Sequence, residues 1–215
     1  MTNTISFQKK SALLGIAALA CLLFTAVPQH QAMAQETQTL LSGDVSHGGF
    51  GGPVIRFGSV DGSGAVWVGG RGGWIINFSN QHSISLGGGG YGLVTEHQLP
   101  QPFDSGRNEL AAIGYGGFEM EYTNQTYRLV HLTASTLIGA GGITVRDHNL
   151  EHLEDDANAF FVFEPGLNAE LNVTSFFRLA AGVSYRFISG LDYGGFQDSD
   201  FSGVNAVLTF KFGAF

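Results

Sequence analysis

The chain is poor in cysteine, proline and charge. Of its 215 residues one is Cys, five are Pro and 13% are charged, about half the usual ~25%. A single Cys excludes an intramolecular disulfide framework and a four-Cys zinc site. Scarce proline, with no three-residue glycine period, excludes collagen. Lys and Arg number 10 against 18 Asp and Glu, and the resulting net charge of −8 argues against nucleic acid as a partner. Beyond residue 34 no stretch supplies the ~20 consecutive apolar residues of a membrane helix. What the chain does have is glycine, 32 residues, and aromatics at 12%. Glycine at that density disfavours a helical bundle, since each costs roughly 1 kcal/mol in a helix interior. The aromatic and β-branched content argues against disorder.

Residues 1–34 read as an export signal. Lys9 and Lys10 supply a positive start, Ser11 to Val27 an apolar run, and Ala32-Met33-Ala34 a small-x-small cleavage site before Gln35. Two alternatives are an uncleaved anchor, which Pro28 disfavours, and a lipoprotein signal at Ala18-Leu19-Ala20-Cys21 with Cys21 as lipid anchor. Cleavage after Ala34 removes Lys9 and Lys10 and takes the net charge from −8 to −10. It also leaves a chain without Cys, suited to an oxidising envelope. Residues 35–50, polar and Gly-rich, read as a flexible periplasmic lead-in, and 51–215 as one domain.

That domain alternates with period two. Eight strands are expected, at 52–60, 64–78, 82–96, 109–122, 127–143, 158–173, 176–188 and 202–213. Most are longer than the usual ~5–6 residues. Short polar turns (79–81, 123–126, 174–175) alternate with long loops (97–108, 147–157, 189–201), and only Asp61-Gly62-Ser63 is short on the long-loop side. An even strand number with short turns at one end and long loops at the other is an outer-membrane barrel pattern.

One face of each strand is nearly free of charge. The other collects Arg56, Arg71, Arg178, Arg186 and Lys211 against Glu119, Glu121, Glu164 and Glu170, close to balance. Arg128 is the exception, alternating onto the apolar face beside a turn, where its stem can snorkel. A soluble barrel would turn the apolar face inward; lipid demands the reverse. Strand length favours the reverse. So do Trp74, Phe78, Tyr122 and Phe177, which lie near the short turns on the apolar face as an interfacial girdle would. The balanced charges also suit a closed lumen.

The signal, the amphipathic strands and the ending Leu208-Thr-Phe-Lys-Phe-Gly-Ala-Phe215 resemble small Gram-negative outer-membrane β-barrels of the OmpA/OmpX type, over about residues 50–215. The Gly-rich runs also resemble barrels of Bacteroidetes-like bacteria. The resemblance implies an all-β, eight-stranded antiparallel up-and-down transmembrane barrel with both termini periplasmic. It implies lipid as surroundings, and recognition of Phe215, supported by Phe210 and Phe212, by the barrel assembly machinery. Phe215 is out of phase with Phe210 and Phe212, and a bulge at Gly213 would restore it. A monomer and no cofactor are expected; the resemblance supplies no activity.

Gly87-Gly-Gly-Gly-Tyr-Gly92 matches G-x-G-x-x-G, but Leu93-Val-Thr continues a strand where a phosphate site needs a helix. The glycines of the second, third and fourth strands are expected at similar heights, with Tyr91, Tyr115 and Arg71 filling the space they leave. The lumenal charges read as a plugging ion-pair network, or else as a gated conduit or proton path. Asp147, His148, Glu151, His152, Glu154, Asp155 and Asp156 form a dense acidic loop. Solvation is its bland reading, and metal binding through His148, His152 and Asp155 the sharper one. His131 and Ser135, with Glu119 or Glu121 on the neighbouring strand, are the residues for a lipid-modifying or proteolytic activity. No enzyme is expected. The role anticipated is structural or one of surface interaction through the long loops, with a soluble lipocalin-like barrel binding an apolar ligand as the alternative.

Overall fold

A computed structural model describes residues 45–79, 81–98, 110–146 and 158–215. Eight long strands form the wall: β1 (Ser46–Val60), β2 (Ser63–Asn77), β3 (His82–Leu93), β4 (Leu110–Asn124), β5 (Val130–Arg146), β6 (Asn158–Asn172), β7 (Phe177–Ser189) and β10 (Gly203–Ala214). Between the last two lie β8 (Asp192–Tyr193), β9 (Phe196–Gln197) and a helical turn, α1 (Asp198–Phe201). Each wall strand pairs antiparallel with its neighbour in sequence, and β10 returns to β1, so the sheet closes and no edge is left.

Three boundaries differ from the sequence reading. β1 begins at Ser46, inside the expected 35–50 lead-in, because Ser46↔Asn77 to Phe50↔Gly73 already pair with β2. Glycine-rich sequence carries no alternation to announce this strand, yet Phe50 is buried in the lumen. β3 stops at Leu93 rather than 96, and β5 starts at Val130 rather than 127, which leaves Arg128 exposed in the turn and off the wall. Asp61 (φ 47°) and Gly62 (φ 72°) close the β1–β2 hairpin with the two positive φ angles of a type I′ turn, which Asp-Gly favours.

The glycine runs meet across the ladders as expected. Gly51↔Gly72, Gly72↔Gly88, Gly90↔Gly70, Gly89↔Gly117 and Gly117↔Gly139 form a band through β1 to β5. The reason is steric. A Cβ on Gly87 would lie 1.9 Å from the Gly72 carbonyl oxygen, and one on Gly139 would lie 2.0 Å from that of Gly116. At Gly89 a Cβ would stand 2.4 Å from Glu119 Oε1 and 2.7 Å from the Tyr91 hydroxyl. The bare wall thus lets large side chains cross a narrow lumen.

Candidate functional site

The alternation resolves into an inside and an outside. Inward lie Arg56, Arg71, Glu119, Glu121, Glu164, Glu170, Arg186 and Lys211, with Arg178 at the short-turn end. Outward lie Phe57, Val68, Trp74, Phe118, Leu132, Ile138, Leu167, Val183 and Val204, all exposed. A soluble barrel with an apolar pocket needs the opposite arrangement. A wall that is apolar outside and ionic inside, with every strand paired, is what hydrocarbon accepts. The chain is a transmembrane β-barrel, of the even-stranded kind found in Gram-negative outer membranes.

Aromatics mark the short-turn rim. His47 stacks on Trp74 at 5.2 Å, His82 lies between Phe78 at 6.1 Å and Tyr122 at 5.9 Å, and Phe177 stacks on Phe212 at 4.8 Å. All four expected girdle residues are on this rim, and the Tyr122 hydroxyl meets His82 Nδ1 at 2.7 Å. Sequence reasoning missed both histidines; the available signal was their outward parity at a strand start, His47 second in β1 and His82 first in β3. Phe210 and Phe212 share the outward face. Phe215 does not, because the β1–β10 register is the same at Gly49↔Ala214, Phe50↔Gly213 and Gly51↔Phe212 as at Val54↔Thr209, and holds no bulge at Gly213. Its ring lies instead under Arg178, 4.0 Å from the guanidinium carbon. It lines a cavity of about 540 Å³ at the short-turn mouth, together with Ser46, Asn77, Ser83 and Tyr127.

The lumenal charges form one chain of alternating sign. Glu164 pairs with Arg56, Arg56 with Glu119 at 3.7 Å, Glu119 with Arg71 at 2.6 Å and Arg71 with Glu121 at 3.0 Å. Glu121 continues to Lys211 at 2.5 Å, Lys211 to Glu170, and Glu170 to Arg178 at 3.1 Å. Four carboxylates and four cations therefore run from mid-lumen to the mouth. Neutral groups complete it: Tyr91 donates to Glu119 at 2.5 Å, Tyr115 to Glu164 at 2.8 Å and Ser184 to Glu164 at 2.5 Å. Arg56 also lies over the Tyr91 ring at 3.6 Å. Beside the chain is an internal cavity of about 20 Å³ lined by Arg56, Arg71, Glu119 and Glu164, enough for about one water.

Arg186 is not part of this chain. It lies toward the long-loop end, where its Nε donates to the Phe201 carbonyl at 2.7 Å and its guanidinium covers Trp67 at 4.2 Å. Alternation placed it inside correctly, but the layer it occupies is aromatic. Trp67, Tyr115, Phe160, Leu137 and Ile143 pack there with Leu191, Phe196 and Phe201 from the β7–β10 connection. That connection was expected as an outward loop over 189–201. Instead its apolar residues turn down and close the barrel, with Phe201 fully buried. Leu191 N–H donates to Asp198 Oδ1 at 2.7 Å, and Asp61 N–H donates to the Asp200 carbonyl at 2.9 Å, fixing the lid to itself and to the first hairpin.

The residues read for catalysis do not come together. His131 is held by the Arg128 carbonyl at 3.1 Å and Glu170 at 3.3 Å. Ser135 is four residues on along the same strand, about 13 Å at ~3.4 Å per residue. The acidic loop with His148, His152 and Asp155, most of loop 97–108, and the export signal lie outside the described residues. His97, at the start of loop 97–108, is buried against Thr95 Oγ1 at 3.1 Å, and burial holds its imidazole below the ordinary value.

No protein-family model and no curated protein matches the sequence. Among solved structures, the chain is similar to Neisserial surface protein A, with a TM-score of 0.44 and 13% identity over 80% of this chain and 97% of that one. It is also similar to Ail, the attachment invasion locus protein of Yersinia pestis, with a TM-score of 0.46 and 13% identity over 78% and 97%. The complex of Ail with the heparin analogue sucrose octasulfate gives a TM-score of 0.46 and 15% identity over the same shares.

Proposed function

We propose that this protein is a closed outer-membrane barrel with a structural or surface-interaction role, presenting its long loops outside the cell and conducting nothing through its lumen. The observation that carries this reading is the double closure of the interior. An ion-pair chain of alternating sign fills the lower lumen, and the Phe196–Phe201 lid with Trp67 and Arg186 fills the upper end. Eight-stranded barrels are just wide enough for side chains to fill. A conduit would need mobile, unpaired charge, whereas each carboxylate of the chain here contacts a cation.

Recognition then falls to the loops spanning 97–108 and 147–157, the latter rich in acid. An acidic loop favours cationic partners, through steering more than through affinity. The assembly machinery would read the last strand, with Phe210 and Phe212 outward and Phe215 at the mouth. Planar-bilayer recording tests closure: wild type should give no discrete conductance, and steady channels in the native chain would overturn it. Protease treatment of intact cells tests exposure, with cleavage expected in 147–157 before any wall strand.

A further inference from the structure

We infer that the outer wall carries a dedicated docking groove for one lipid acyl chain, across β5, β6, β7 and β10. The site rests on the membrane reading above and deepens it. Most of the wall is continuous ladder, but the β1–β10 pairing is interrupted at Gly52–Pro53, and the β6–β7 pairing passes from Phe163↔Phe187 to Gly166↔Ser184 with Glu164 and Pro165 unpaired to β7. Proline lacks the N–H that a ladder needs. At the β6–β7 interruption the outer surface sinks into a groove of about 430 Å³. Its walls are Ala134, Pro165, Leu167, Val183, Tyr185 and Val204.

Three features select a hydrocarbon occupant. The groove lies near the middle of β6 and β7, and its walls Leu167, Val183 and Val204 are exposed apolar residues, so it opens into the apolar belt and not into the rim. Its floor is Ser135, Gly166 and Ser184, residues that also line the internal cavity, so the wall here is one residue thick. The Ser184 hydroxyl donates inward to Glu164 at 2.5 Å, which turns its polar atom away from the groove. At ~30 Å³ for a water-sized group, the volume holds roughly fourteen such groups, the scale of one acyl chain. Elsewhere the belt projects large exposed side chains such as Phe57 and Phe118.

The test is photo-crosslinking of the full chain in phosphatidylethanolamine vesicles whose lipid carries a diazirine at mid-chain, with adducts mapped by mass spectrometry. The expected result is adduct density on Pro165–Leu167, Val183–Tyr185 and Val204 several-fold above that on Val68 and Phe118. Ala134→Phe, which fills the groove from its wall, should lower the groove adducts at least three-fold; Val66→Phe on β2, across the barrel, should not. Val204→Phe serves in its place if Ala134→Phe fails to give the heat-modifiable folded band. Adducts spread evenly round the belt, or groove adducts unmoved by either filling variant, would overturn the groove while leaving the membrane reading standing. Absence of adducts from every outward residue would overturn both.

Discussion

Lys211 is the single cation joining the two halves of the lumenal chain, and its loss gives the sharpest test of that chain. Its ammonium contacts Glu121 at 2.5 Å and also Glu170, with all three side chains almost fully buried. Removing one partner of a buried pair costs about 3–5 kcal/mol, because a charge is left behind in a place water cannot reach. Here each carboxylate keeps a second cation: Glu121 keeps Arg71 at 3.0 Å, and Glu170 keeps Arg178 at 3.1 Å. The expected cost of Lys211→Met is therefore at the low end, about 3 kcal/mol. With a urea slope of ~1–3 kcal/mol/M, the unfolding midpoint should fall by about 1–3 M. The assay is urea unfolding of the folded barrel in lipid vesicles, followed by Trp fluorescence and heat-modifiable mobility. Adding Glu170→Gln removes the surplus carboxylate and should recover at least ~1 kcal/mol relative to the single variant. A midpoint shift below ~0.3 M, or a double variant whose costs simply add, would refute the claim that the charges act as one balanced set.

Phe201→Ala removes a fully buried lid side chain and should cost about 3–5 kcal/mol of local stability, seen as proteolysis within 190–202 while the wall stays intact. Gly62→Ala places a Cβ on a residue with φ 72° and should lower stability by about 1–2 kcal/mol, measured by the same unfolding midpoint. His97 has its pKa lowered by burial, so the unfolded loop takes up a proton first as pH falls. Stability held through neutral His97 is present above the ordinary value and declines below it. Amide exchange at Ala111, which donates to the His97 carbonyl, should therefore gain protection less on acidification than intrinsic rates dictate, and His97→Gln should remove the difference.

The wall was legible because parity is a strict code. Arg71 or Glu164 can sit on one face only, and a single-residue slip would have put every charge into lipid. The same code put Trp74, Phe78, Tyr122 and Phe177 on the outward face and the glycines in one band. It failed where side chains do not alternate. The Ser46–Phe50 stretch is paired to β2 by register, a long-range fact that its Gly-rich sequence does not carry. Arg186 shows the other limit: parity gives a side but not a depth, and depth decided that it would meet Trp67 and not a carboxylate. The lid was hidden because Leu191, Phe196 and Phe201 are spaced irregularly among Asp and Gly, and apolar residues in a loop declare burial only once something lies beneath them.

The ion-pair chain also bears on the order of assembly. Its contacts join residues far apart in sequence, Arg56 with Glu164 across 108 positions and Lys211 with Glu121 across 90. The β1–β2 hairpin carries two cations, Arg56 and Arg71, and the β3–β4 hairpin two carboxylates, Glu119 and Glu121, so either one entering the bilayer alone would expose bare charge to hydrocarbon. Strands β1 to β4 together balance, two of each sign, but the Arg56–Glu164 and Lys211–Glu121 contacts form only when strands from both ends of the chain come together. The lumen thus favours the closed sheet, since Glu121 and Glu170 gain their shared cation, Lys211, only from the last strand.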